Sequence, residues 1–310
     1  MRDMRGTFVI ALLALLFGIG VADAAESEHR IAVSGVQRSY ILHLPANVAS
    51  GAPLPLVIVL HGGAGAGAIV EKQTGFDAEA DKRGFVVAYP DGSDRERPLL
   101  NALGKPGFLT WNAGTCCGYA MEQGVDDVGF IRAVVADIAR AVPIDLRRVY
   151  IAGHSNGAMM AYRMACEASD LVAAVGIVSG VVVAPKCEPT DPVSVIHIHG
   201  TADENVPIDG GVGAKSISRT DYPPVALSIA FWVARDDCPS SPQTVTPAPG
   251  VTLDDYGPCL QGTEVAYYQI AGGPHSWPGG ERISLLLDAP SQALQATPLL
   301  WQFFAAHPKP

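Results

Sequence analysis

Between Val149 and Glu167 the chain passes from a compact β-branched run into an Ala- and Met-rich stretch through only five residues, Gly153-His154-Ser155-Asn156-Gly157. Val149-Tyr150-Ile151-Ala152 has the composition of a buried strand. From Ala158 onward the pattern reads as a helix packed on one face. A strand that becomes a helix within a G-x-S-x-G pentapeptide is a nucleophile elbow. The turn is so tight that the neighbours of the serine must lack bulk, which accounts for both glycines. Its hydroxyl is then lifted to the end of a sheet, beside a helix N-terminus that favours developing negative charge. Such a turn needs a layered α/β scaffold around it.

The flanking sequence supplies one. His29 to Leu44 alternates around Ser34-Gly35 and predicts an antiparallel hairpin at a sheet edge. Leu56-Val57-Ile58-Val59-Leu60 is polar on neither side, as a central parallel strand covered by helices must be. A helix-like stretch then runs to Arg83, followed by a strand at Phe85 to Tyr89. Asp91 to Gln123 is a long Gly/Pro-rich loop, and loops of that length tend to carry function. Asp126 and Asp127 open an amphipathic helix from Val128 to Val142. Beyond the elbow come strands at Val172 to Val178, Pro192 to His199 and Glu264 to Ile270. A helix from Pro224 to Arg235, a polar Pro-rich loop to Pro258, and a C-terminal helix from about Ala289 to Phe304 complete the reading. The class is α/β, with a mostly parallel central sheet and helices on both faces.

Composition narrows the function. A net charge of −10 over 310 residues argues against a nucleic-acid binder, which needs a basic face. There is no Lys/Arg block for electrostatic membrane attachment either. Arg2 and Arg5 precede an apolar run from Thr7 to Val21, and Ala22-Asp23-Ala24 offers a small-x-small cleavage site. Residues 1–24 are therefore expected to be a signal peptide, with 25–310 a single catalytic domain secreted to the periplasm or exterior and free of stable membrane association. Six cysteines in an oxidising compartment read as three disulfides among Cys116, Cys117, Cys166, Cys187, Cys238 and Cys259. Cys238 with Cys259 is the pair easiest to defend, and the other pairings stay open. No metal-binding spacing is present: His197-x-His199 lacks a third ligand.

A serine nucleophile needs a base, and the base needs an orienting acid. On a sheet of this kind the order along the chain is Ser, acid, His, each on a loop after a strand's C-terminal end. Of eight histidines, only His275 and His307 follow a suitable acid, and His307 lies in the tail. His275, in the Gly272-Gly273-Pro274 turn after a strand, is the expected base. Asp203, after the strand ending at His199, is the expected acid, with Glu204 and Asp209 as neighbouring alternatives. Oxyanion donors are expected from the backbone amides of Asn156 and Gly63, with Ala64 as fallback. Trp111 and Trp277 are candidates for the pocket wall, with core packing as the alternative for each. Gly63 to Ala68 also satisfies the dinucleotide pattern G-x-G-x-x-A, with Asp91 as a nominal ribose acid. That reading leaves Ser155, Asp203 and His275 unexplained.

L-H-G-G at 60–63, Y-P-D-G at 89–92, W-N-A-G-T-C-C-G at 111–118, V-D-D-V-G-F-I at 125–131, G-H-S-N-G-A-M-M-A-Y at 153–162, H-G-T-A-D at 199–203 and G-G-P-H-S-W-P at 272–278 occur in this order. Together they resemble the secreted polyhydroxybutyrate depolymerase / feruloyl esterase family of α/β-hydrolases. The resemblance implies an α/β-hydrolase fold and hydrolysis of a carboxylic ester through Ser155, Asp203 and His275, without a cofactor. It implies a small-molecule or oligomeric ester as partner: a hydroxyalkanoate ester, or alternatively a feruloyl or acetyl ester of plant cell-wall polysaccharide. A peptidase, or a non-catalytic binding protein, would be a rival use of the same fold. Oligomeric state is not legible in the sequence.

Overall fold

The computed structural model describes residues 25–45, 51–95, 107–285 and 287–310. The segment read as a signal peptide and part of the long loop lie outside them. Ten strands form one sheet: β1 (Ala25–Val33), β2 (Val36–Leu44), β3 (Leu54–Leu60), β4 (Val86–Pro90), β5 (Ile144–His154), β6 (Ala174–Val178), β7 (Ser194–Gly200), β8 (Gln243–Ala248), β9 (Val251–Asp255) and β10 (Val265–Ile270). Their spatial order is β1-β2-β4-β3-β5-β6-β7-β10-β9-β8. From β4 to β10 all neighbours are parallel. Antiparallel β1/β2 and β9/β8 close the two edges.

The helices are α1 (Gly67–Thr74), α2 (Phe76–Arg83), α3 (Gly118–Glu122), α4 (Asp127–Ala141), α5 (Asn156–Glu167), α6 (Val225–Arg235) and α7 (Ala296–Ala306). They cover both faces of the sheet, and β3 shows how the sequence requires this. Leu56, Ile58 and Leu60 bury into a core with Phe130, Ile131 and Val134 of α4, Met159 and Tyr162 of α5 and Trp232 of α6. Val57 and Val59 point the other way, into a core with Val70, Phe76, Ala80, Leu300 and Phe304 of α1, α2 and α7. The period-2 alternation of a strand therefore feeds two apolar layers at once.

Several expectations need adjusting. The stretch read as one helix before Arg83 is two, because Gly75 takes φ +64° and its N–H bonds to Glu71 O as a left-handed cap. The segment read as a Pro-rich loop before Pro258 contains the β8/β9 hairpin. Pro247 is tolerated there because β8 is an edge strand and its register shifts between Val245 and Ala248. The C-terminal helix begins at Ala296 rather than near Ala289. Asp126 caps α4 as its acidic start predicts, its side chain accepting from the Gly129 N–H at 2.8 Å.

One buried ion pair ties the first edge to the loops above the sheet. Arg38 of β2 donates to Asp127 Oδ1 at 2.8 Å and to Asp91 O at 3.0 Å, with its guanidinium 3.9 Å from the Phe130 ring centroid. Asp127 Oδ2 accepts from the Asn112 N–H at 2.8 Å. The start of α4 thereby holds the Trp111–Asn112 segment against the elbow.

Candidate active site

Ser155 joins β5 to α5 at φ 55° and ψ −120°, backbone geometry that costs a non-glycine residue roughly 1–3 kcal/mol. It is held there by Ser155 N–H to Val178 O at 2.9 Å and Met159 N–H to Ser155 O at 3.0 Å. The glycines around it are demanded by close approach. A β-carbon on Gly153 would lie 2.3 Å from Gly157 C, one on Gly157 2.3 Å from Leu60 O, and one on Gly180 2.6 Å from Ala158 Cβ. The pentapeptide pattern is thus the steric signature of a turn packed between β3, β5 and the residues after β6.

The expected acid and base stand on two turns at the same end of the sheet, after β7 and β10. Those strands are paired in parallel, so their turns are adjacent and brace each other. Thr201 N–H donates to Ile270 O and Ala202 N–H to Gly273 O, both at 2.9 Å, and Gly272 N–H reaches Thr201 Oγ1 at 2.8 Å. Asp203 Oδ1 accepts from the N–H groups of Asn205 and Val206 at 2.9 and 2.8 Å. Its Oδ2 accepts from His275 Nδ1 at 2.7 Å. Burial alone would raise the Asp203 carboxyl, but the adjacent His275 and these hydrogen bonds outweigh it and hold the group at about 2.

With Nδ1 bound to Asp203, Nε2 is the other ring nitrogen of His275. Its ring lies against that of His154, centroids 4.9 Å apart, which puts His275 beside the residue preceding Ser155. Ser155 Oγ makes no hydrogen bond among the described residues. Burial, with His275 adjacent, pulls His154 down to about 3, so it stays neutral beside the His275 ring.

The loop after β3 lies over the elbow. A β-carbon on Gly62 would sit 3.5 Å from Ser155 Cβ, and one on Gly63 3.8 Å from Asn156 Cβ. Ala64 N–H is engaged by Leu109 O at 2.9 Å, which removes the fallback oxyanion donor. The N–H groups of Gly63 and Asn156 have no acceptor among the described residues.

Trp111 and Trp277 are both fully buried, which corrects the pocket-wall expectation. The Trp111 backbone exchanges two bonds with the Asn156 side chain, N–H to Oδ1 at 2.7 Å and Nδ2–H to O at 3.1 Å. Its indole Nε1–H donates to His61 O at 2.9 Å. Trp277 lies in the opposite core, Nε1–H bonded to Thr297 Oγ1 at 3.0 Å. Their apolar rings serve packing, and the polar handle of each is used internally.

His61 packs and hydrogen-bonds to loop backbone, the role that a histidine ending an apolar strand before a glycine suggests. Its Nε2 accepts from the Gly92 N–H at 2.9 Å, so the proton is on Nδ1, which donates to Gly62 O at 2.8 Å. Burial lowers it to about 4, and as a neutral ring it shapes the glycine loop. The dinucleotide pattern is also explained: Asp91 Oδ1 accepts the Gly67 N–H at 2.8 Å, so a protein carboxylate already occupies the α1 N-terminus that a phosphate would need. The cysteines pair as Cys116–Cys117, Cys166–Cys187 and the expected Cys238–Cys259.

A strained Ser155 turn after β5, with the Asp203 and His275 turns after β7 and β10 of a doubly covered sheet, fits the α/β-hydrolase architecture, and the class here is the serine esterases. The chain belongs to the esterase PHB depolymerase family, whose model matches residues 38–229, more than half of the 310. It is 32% identical over 280 residues to the putative esterase NocK of Nocardia uniformis subsp. tsuyamanensis, spanning 84% of this chain and 76% of that one. It is 28% identical over 248 residues to Feruloyl esterase B of Piromyces equi, spanning 77% of this chain but 42% of that protein, so the match covers less than half of this relative. The acetyl xylan esterase from Aspergillus awamori shares the fold, with a TM-score of 0.61 at 16% identity over 90% of this chain and 99% of that one. Carboxylic ester hydrolysis is the chemistry of the family.

Proposed function

We propose that Ser155, Asp203 and His275 form the catalytic triad of a two-step ester hydrolysis. The observation that carries this is the 2.7 Å Asp203–His275 hydrogen bond, made from a buried acid to a base beside the strained Ser155 turn. His275 Nε2 takes the Ser155 hydroxyl proton as Oγ attacks the ester carbonyl. Asp203 keeps the proton of His275 on Nδ1 and stabilises the imidazolium. The amides of Gly63 and Asn156 receive the developing oxyanion, each such donor being worth roughly 10²–10³ in rate. His275 then protonates the leaving alcohol. A water, deprotonated by the same nitrogen, attacks the acyl-enzyme and releases the acid.

The substrate we propose is a hydroxyalkanoate ester or soluble oligomer. Feruloyl or acetyl esters of cell-wall polysaccharide are the second reading, favoured by the feruloyl esterase and acetyl xylan esterase names of the relatives. Initial rates on hydroxybutyrate oligomers, methyl ferulate and acetylated xylan separate them. A kcat/KM for hydroxybutyrate oligomers at least tenfold above the others supports the first reading, and the reverse order replaces it with the second. We also propose that residues 1–24 direct export and that 25–310 act as one domain. The three cysteine pairs support an oxidising destination.

A further inference from the structure

Behind the acid turn runs a line of buried polar groups that the ester chemistry does not use. Tyr162 Oη lies 2.7 Å from His197 Nδ1, His197 Nε2 lies 3.1 Å from His199 Nδ1, and His199 Nε2 lies 2.9 Å from Val206 O. A carbonyl oxygen only accepts, so His199 carries its proton on Nε2. Both rings are sealed from solvent, and burial lowers both, so neither is an imidazolium. His199 Nδ1 must then accept, His197 must donate from Nε2, and His197 Nδ1 must accept the Tyr162 hydroxyl proton. Every hydrogen bond points the same way, toward the acid turn.

The far end of this line closes the turn. Val206 accepts from His199 through its carbonyl and donates from its N–H to Asp203 Oδ1 at 2.8 Å. His199 Nε2 is itself 3.5 Å from Asp203 Oδ2, the oxygen that faces His275. The near end starts on α5, which begins at Asn156 directly after Ser155. The line therefore registers the nucleophile's helix to the acid's turn through β7.

We propose that His199, supported by His197 and Tyr162, is a positioning residue that holds the Asp203 carboxylate in line with His275. The proposal rests on the triad reading above. Loss of the His199 Nε2–H frees the 203–206 turn, and misplacement on the scale of an ångström costs about 10²-fold in rate. A freed carboxylate also stabilises the protonated base less well.

The test compares His199→Leu with His199→Gln, whose side-chain N–H reaches the place of Nε2–H. Both are measured on p-nitrophenyl acetate as kcat, KM and the pH profile of kcat/KM, alongside thermal melting. The expected result for His199→Leu is a kcat about 10²-fold lower with KM within about twofold, and an acidic limb displaced to lower pH. His199→Gln is expected to restore at least a tenth of the wild-type kcat and return the limb toward its wild-type position. Loss of activity that tracks a lowered melting temperature in both variants, with the limb unmoved in what remains, overturns the positioning role. Ser155→Ala and Asp203→Asn measured alongside keep the two claims apart. If either retains wild-type turnover the triad reading itself fails, whereas if both are inactive and His199→Leu is fully active only the positioning role fails.

Discussion

Gly200 and Gly273 stand so close that a β-carbon on Gly200 would lie 2.1 Å from the Gly273 carbonyl oxygen. This contact brings the turn bearing Asp203 against the turn bearing His275. Gly200→Ala must push the two apart, and overpacking of this kind costs about 1–3 kcal/mol. We expect a lower melting temperature together with a fall in kcat on p-nitrophenyl acetate. Unchanged kcat in a destabilised variant would show that the turns are not registered through this contact.

Asp203 gives a pH dependence with a definite sign. Its carboxyl sits at about 2 in the fold, below the roughly 3.9 of an unfolded aspartate. The ionised acid therefore stabilises the fold fully above about pH 4, and that contribution is lost as pH falls toward 2, on the order of 2–3 kcal/mol in all. Asp203→Asn should lose activity by about 10⁴-fold, the effect of the wrong imidazole tautomer in serine-protease triads. Its stability deficit at neutral pH should shrink on acidification, and denaturant melts at pH 7 and pH 3 measure that. A deficit that grows at pH 3 would contradict the assignment.

Arg38 and Asp127 form a pair in which both side chains are almost completely enclosed. Removing the cation with Arg38→Met leaves a stranded carboxylate and should cost about 3–5 kcal/mol. Adding Asp127→Asn removes the uncompensated charge and should recover part of that loss. Urea midpoints of the single and double variants test it, and a double variant worse by the full sum would contradict it.

Trp111→Phe distinguishes a brace from a pocket wall. The backbone clasp on the Asn156 side chain survives this change, and only the indole hydrogen bond to His61 O is lost. The expected cost is about 1 kcal/mol in stability, with KM for each ester unchanged. A several-fold change in KM that depends on the acyl group would restore a role in substrate contact.

Much of this was legible in the residues. The two glycines of the elbow and the doubly apolar β3 each follow from local constraints, since tight turns and buried strands leave compositional marks. What escaped depended on contacts distant in sequence. Trp111 reads as either a pocket wall or a core aromatic until Asn156, 45 positions away, takes its backbone bonds. The β8/β9 hairpin was hidden because Pro247 suppresses a strand pattern, and only pairing to β10 reveals it. His197 and His199 read as packing and hydrogen-bonding histidines, but which partners their nitrogens take emerges only from Tyr162 and Val206.

The central claim, that Ser155 is the nucleophile, is tested most directly by covalent capture. A fluorophosphonate probe, followed by peptide mass spectrometry, should place one label per chain on the peptide carrying Ser155. Labelling and p-nitrophenyl acetate turnover should be lost together in Ser155→Ala while the circular dichroism spectrum is retained. A label on any other residue, or substantial hydrolysis by a folded Ser155→Ala, would contradict it.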